Sequence, residues 1–217
     1  MTDGVREGAA ATRLAVTALR TALFDGELSP GQRLVESDLA EQLGVSRASV
    51  RAALMDLTAD GLVERIPNRG ARVRIVSVAE AVAITECRMA LEGLCAAKAA
   101  EQMTDERVAV VTDLGDRMRQ AVAGGDPVAY SALNRELHRL LREHSGQSVA
   151  TELLDRLYAQ IVRHQFRLAL RAGRTQESLP EHLAIIRAIE ERDPEAAEAA
   201  TRAHLRSVIA ALLEPES

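Results

Sequence analysis

All five histidines of this 217-residue chain lie beyond residue 130: His138, His144, His164, His182 and His204. Three of them share a pattern. His138 follows Asn134 by four residues, and Leu141 continues that face. His182 lines up with Ile186 and Ile189, and His204 with Ala197, Ala200, Val208 and Ala211. Residues three or four apart share a helix face, so each of these histidines falls on an apolar stripe that a bundle turns inward. Imidazole ligates zinc, nickel and other borderline metals. Helix bundles build such sites from inward side chains on facing helices. The same spacing also fits three core histidines, each bonded to a backbone carbonyl.

A second chemistry is written in "LGVSRASVRAAL", residues 43–54. Ser46 is a good N-cap, and Arg47 and Arg51 share a face near the start of the helix it opens. Val50, Leu54 and Leu57 form the opposite, core-facing stripe. A recognition helix needs its outward side chains at that end, because that end enters the major groove. Arginine there pairs with guanine or with phosphate. Ser46 and Ser49 offer small hydroxyls for phosphates, and Arg33 is a further candidate contact. In "PNRGARVR", Arg69 stands beside Gly70, where the backbone can approach a groove.

The elements that must position these residues are legible in the periodicity. Helices are expected over about 9–26, 37–43 and 47–60, punctuated by Gly26, Pro30, Gly31, Gly44 and Gly61. Two short β-branched runs, 62–66 and 71–76, flank Pro67, Asn68 and Gly70 and predict a hairpin. Helix, helix, turn, helix and hairpin make a winged helix-turn-helix. Six helices follow, over about 79–102, 104–123, 127–144, 148–172, 176–192 and 194–213. The expected fold is mainly α: a winged helix-turn-helix over 9–76, then an all-α antiparallel bundle over 79–213.

Composition agrees. Hydrophobic residues reach 47%, aromatics only 2%, and Trp is absent, so the core must be built from Leu, Ala, Val and Ile, of which Ala and Leu favour helix. Residues 1–78 hold 10 Arg and 10 acidic residues, so the net charge of −5 belongs to the remainder. Arg65, Arg69, Arg72 and Arg74 fall within ten residues with no acid among them, and the local patch decides DNA binding. Cys87 and Cys95, two helical turns apart, cannot bridge and are expected as buried thiols in a reducing cytoplasm. No signal peptide or membrane span is visible.

The stretch "GELSPGQRLVESDLAEQLGVSRASVRAALMDLTADGLVERIPNRGARV" resembles the winged-helix domain of GntR-family regulators. "ITECRMALEGLCAAKAA" and "LNRELHRLLREHSGQ" resemble the ligand-binding FCD domain of its FadR subfamily. The resemblance covers about residues 10–212. It implies a homodimeric, cytoplasmic regulator, expected to be a repressor, on a palindromic operator in double-stranded DNA. It places His138, His182 and His204 at three histidine ligands of a divalent metal, zinc first and nickel second. Asn134 stands at an acidic ligand's place, so affinity should fall. His144 and His164 match no ligand and are read as facing solvent or supporting the ligands. Arg88 matches an arginine suited to a small organic acid effector; a salt bridge to Glu92, four residues on, is the other reading. Two further departures are Ser37, where many relatives carry arginine, and Ser49 with Ala53, where the family has Pro and Glu. The helix carrying Arg88 follows directly on the wing, so its shift on effector binding is expected to change operator binding.

Two rivals remain. A metal held by three histidines could activate water in a hydrolase, but no HExxH, nucleophile elbow or paired carboxylate at motif spacing accompanies it. The second is a DNA-binding dimer without effector, against which the three inward histidines argue.

Overall fold

A computed structural model describes residues 3–24, 26–66 and 70–214. The chain forms two compact units, residues 1–76 and 77–217.

In the first unit α1 (Asp3–Phe24) packs along α3 (Arg47–Ala59), with α2 (Glu36–Leu43) against α3. Ala15 and Leu19 of α1 are buried, as are Val50, Leu54 and Leu57 of α3, so the stripe read from α3 is its core face. Leu14 of α1 is exposed. Gly44 takes φ 66 and ends α2, its N–H bonding back to the Ala40 and Glu41 carbonyls. Ser46 then caps α3, its hydroxyl accepting from the Ser49 N–H at 3.1 Å. Ser46→Ala should therefore cost about 1 kcal/mol of stability, and Ser46→Gly only a few tenths. Urea unfolding followed by circular dichroism reads the difference.

The hairpin is β2 (Val63–Ile66) with β3 (Gly70–Val73), joined by residues outside the described set, which include Arg69. β3 is the middle of three antiparallel strands, because β1 (Arg33–Leu34) adds to its other edge. This two-residue strand was not read from the sequence; it is too short to show a period.

The second unit holds six helices among its described residues: α4 (Val78–Gln102), α5 (Asp105–Ala123), α6 (Pro127–Glu143), α7 (Ser148–Ala169), α8 (Arg174–Glu190) and α9 (Pro194–Leu213). α7 stops earlier and α8 starts earlier than the periodicity suggested, because Gly173 takes φ 81 and turns the chain there. α4 is the hub and packs against α6, α7, α8 and α9. Gly93 lets α9 come close: a Cβ there would meet Glu198 Cγ at 3.1 Å. The core joins Ala96 and Ala99 of α4 to Leu114, Leu137, Ile185 and Ala197 of four other helices. Cys95 is buried but Cys87 is exposed, against the expectation of two buried thiols. Eight residues at about 100° each leave the two positions roughly 80° apart around one helix.

Candidate functional site

The first unit presents a basic face. Arg47, the first residue of α3, is exposed, and so is Arg51 one turn later. Arg51 is held: its Nη2 donates to Glu36 Oε2 at 2.7 Å, and its Nε lies 3.1 Å from both carboxylate oxygens. The hydrogen bond from Arg51, with the charges of Arg51, Arg47 and Arg65, holds the Glu36 carboxyl below its ordinary range. Glu36 was not among the expected contacts, and Arg65 was expected only as part of the basic patch. Nothing in local spacing links Glu36 to a residue fifteen positions later.

Arg33 is exposed on β1 and stands opposite Arg72 of β3 in the strand register. Arg72 donates to Glu64 at 2.6 Å. Gly70 is exposed with φ 86, a conformation that favours glycine. Ser37 is exposed and its hydroxyl donates to Asp38. Ser49 corrects the sequence reading. It is 5% exposed and its hydroxyl lies 2.9 Å from that of Ser46, so it serves the cap rather than offering a free hydroxyl.

The second unit brings three expected residues together. His138 of α6, His182 of α8 and His204 of α9 are all buried, and one ligand atom of each lies within 4.8 Å of the others. Every Nδ1 is committed. That of His138 meets Glu92 Oε2 at 2.8 Å, and that of His204 meets Glu181 Oε2 at 2.8 Å. That of His182 lies 2.9 Å from the Ser178 carbonyl and 2.8 Å from the Tyr130 hydroxyl. A carbonyl can only accept, so His182 Nδ1 carries the proton and its Nε2 lone pair is free. Carboxylates orient the other two rings in the same sense, the arrangement usual behind metal-bound imidazole.

His182 Nε2 and, one turn before His138 on α6, Asn134 Oδ1 are among the buried atoms with no hydrogen-bond partner among the described residues. Burial, with His204 and His138 nearby, holds His182 well below the ordinary imidazole range, so it stays neutral. Burial lowers His204 too, against the pull of Glu181. The donor set therefore fits a divalent cation. Nitrogens about 2.1 Å from a tetrahedral zinc lie about 3.4 Å apart, so ligand atoms within 4.8 Å of one another would draw together on binding.

Arg88 makes the expected salt bridge to Glu92. It is 3% exposed, and its Nε donates to Glu92 Oε1 at 2.8 Å. Its Nη1 stays buried without a partner among the described residues. Tyr158 donates to Glu92 Oε2 at 2.8 Å, and its ring lies between the guanidiniums of Arg88 and Arg142, at 4.1 and 4.6 Å. Burial pulls the Glu92 carboxyl up, but Arg88, His138 and Tyr158 together hold it well below its usual range. A small cavity beside His138 is lined by Glu92, Cys95, Leu141, Arg142 and Thr201. Arg142 Nε and Thr201 Oγ1 are buried without partners among the described residues. These two residues escaped the sequence reading, since neither stands at a telling spacing. His144 closes α6 as its C-cap, and His164 is half-buried on α7; neither joins the cluster.

The chain has clear relatives. Residues 12–73 match the helix-turn-helix of the bacterial regulatory proteins of the gntR family, and residues 83–207 match the FCD domain. The HTH-type transcriptional repressor RspR of Escherichia coli is 26% identical over 83% of this chain and 79% of its own. The HTH-type transcriptional repressor NanR of Cronobacter sakazakii is 31% identical over 88% of this chain and 79% of its own. Among solved structures, E. coli McbR/YncC superposes with a TM-score of 0.77 at 25% identity, covering 93% of this chain and 96% of that one. A winged helix-turn-helix followed by a helical FCD domain thus accounts for nearly the whole sequence, and the chain belongs to the gntR family: it is a DNA-binding transcription regulator, not an enzyme.

Proposed function

We propose that this regulator is a homodimeric repressor of the FadR type whose helical domain binds one divalent metal and a small carboxylate that modulates operator binding. The carrying observation is the metal-ready cluster: three buried imidazoles with every Nδ1 engaged, and Asn134, one helical turn before His138, with its buried Oδ1 unpartnered among the described residues. His138, His182 and His204 hold the ion, zinc before nickel, with Asn134 as a neutral fourth ligand. When bound, the ion supplies a positive charge that three imidazoles and an amide leave uncompensated, which favours an anionic ligand. Arg142 Nε and Thr201 Oγ1, of residues lining the small cavity beside His138, and Arg88 Nη1 are buried polar atoms without partners among the described residues and are the proposed donors to that carboxylate. Repression is supported by the printed names of RspR and NanR. No described helix is long and apolar enough to cross a membrane; the proposed place of action is the cytoplasm.

The test is direct. Protein purified without chelator is assayed for metal, and mono- and dicarboxylates are screened by thermal shift. Each hit then enters gel shifts on duplexes enriched from a random library. A hit that changes DNA affinity only in metal-loaded protein supports the reading. Metal-free protein, or no acid that alters DNA affinity, overturns it and leaves a DNA-binding dimer without effector.

Within the DNA-binding unit, the proposed contacts are Arg33, Ser46, Arg47, Arg51 and Gly70, with Arg69 at the wing tip. Arg47→Ala should weaken binding to an enriched duplex between about fivefold and about a hundredfold. Arg69→Ala should weaken all duplexes more evenly, as loss of a phosphate contact does. Titrations on enriched and scrambled DNA separate the two patterns.

A further inference from the structure

An acid stands among these arginines. Glu36 opens α2, its carboxylate grips Arg51, and Arg47 and Arg65 lie near enough to favour its charge. A carboxylate on a surface meant for phosphates is a cost to simple electrostatic attraction. Its geometry suggests what it does instead.

A guanidinium has five N–H donors in a fixed plane. Glu36 takes the Nε edge, through Nε and one hydrogen of Nη2. Three hydrogens remain, two on Nη1 and one on Nη2, and one from each nitrogen still forms a parallel pair. That pair is the fork that reads guanine O6 and N7. The Arg51 side chain is 55% exposed, so without Glu36 little else would fix its plane. A free arginine would turn to the nearest phosphate.

We infer that Glu36 is a specificity-determining residue of this regulator: it positions the Arg51 fork for one guanine and disfavours binding through phosphates alone. This rests on reading α3 as the helix that enters the major groove. Glu36 acts through Arg51 and is a positioning residue. Gln at this position keeps the shape but loses the charge and one of the two oxygens that hold the Nε edge of Arg51.

The experiment uses the full-length protein and a random duplex library, with bound fractions sequenced for wild type, E36Q, R51A and E36Q/R51A. Affinities are then measured on the enriched duplex and on a scrambled one. E36Q should lose preference at the same base pairs as R51A, and its ratio of specific to scrambled affinity should fall about tenfold or more. Its affinity for scrambled DNA should hold or rise, and the double variant should lose no more selectivity than R51A. The inference is overturned if E36Q keeps the wild-type profile, if it weakens every duplex evenly, or if its loss adds to that of R51A. If R51A itself keeps the wild-type profile, the reading of α3 fails along with it.

Discussion

His182→Ala should abolish metal retention, and the variant's melting temperature should no longer respond to chelator. In the wild type, chelator should lower it by several degrees. An ion at a thousand times its dissociation constant stabilises the fold it binds by about 4 kcal/mol. Once it is removed, His182 Nε2 is left as a buried acceptor without a partner, in a side chain 0% exposed. The rival account, three core histidines, makes a different forecast. Truncating a packed imidazole then leaves a cavity and costs the same with or without chelator. The readout is the difference between two melting shifts, which a mere packing loss cannot mimic. Asn134→Asp sharpens it because its effect changes sign. With metal present, an anionic ligand tightens the site and raises the melting temperature. With metal stripped, it places a carboxylate where Asn134 Oδ1 had no partner, and the protein melts earlier. Equal metal content after mild dialysis in wild type, His182→Ala and Asn134→Asp would sink the proposed site.

What was legible in the sequence was whatever repeats along one helix. The inward faces of His138, His182 and His204 follow from their apolar neighbours at helical spacing, and the structure buries all three. Ser46 as a cap and Gly44 as a stop are local chemistry and were read locally. The partners of these residues were a different matter. Glu181 is 23 positions from His204, and Tyr158 is 66 from Glu92; only the packing of α7, α8 and α9 around α4 brings them together. Glu36 and Arg51 meet because α2 lies against α3, which no period reveals. The misplacements have the same origin. Ser49 turns inward because it joins a cap, and Cys87 faces outward because helical drift carries it off the stripe of Cys95. Arg69 lies outside the described residues, so its expected place at the wing tip rests on sequence alone.

Glu92→Ala should destabilise the helical domain by about 3–5 kcal/mol and, separately, weaken metal binding by about tenfold to a hundredfold. Glu92 is 4% exposed and serves three groups at once: Arg88 Nε, His138 Nδ1 and the Tyr158 hydroxyl, each at 2.8 Å. Its removal strands a buried guanidinium, and an uncompensated buried charge dominates the stability loss. The metal effect has a different cause. Without the carboxylate, nothing holds the proton on His138 Nδ1 or fixes the ring so that Nε2 faces the ion. The two effects can be pulled apart. In Arg88→Met/Glu92→Leu the buried charges leave as a pair and apolar atoms fill their space, so most of the stability should return. Metal affinity should not return, because His138 remains without its carboxylate. Urea unfolding in chelator measures the first quantity, and competition with a metal-binding dye measures the second. Were the double variant to recover both, His138 would need no orienting carboxylate; were it to recover neither, the cost of Glu92→Ala would lie in packing rather than in the stranded charge.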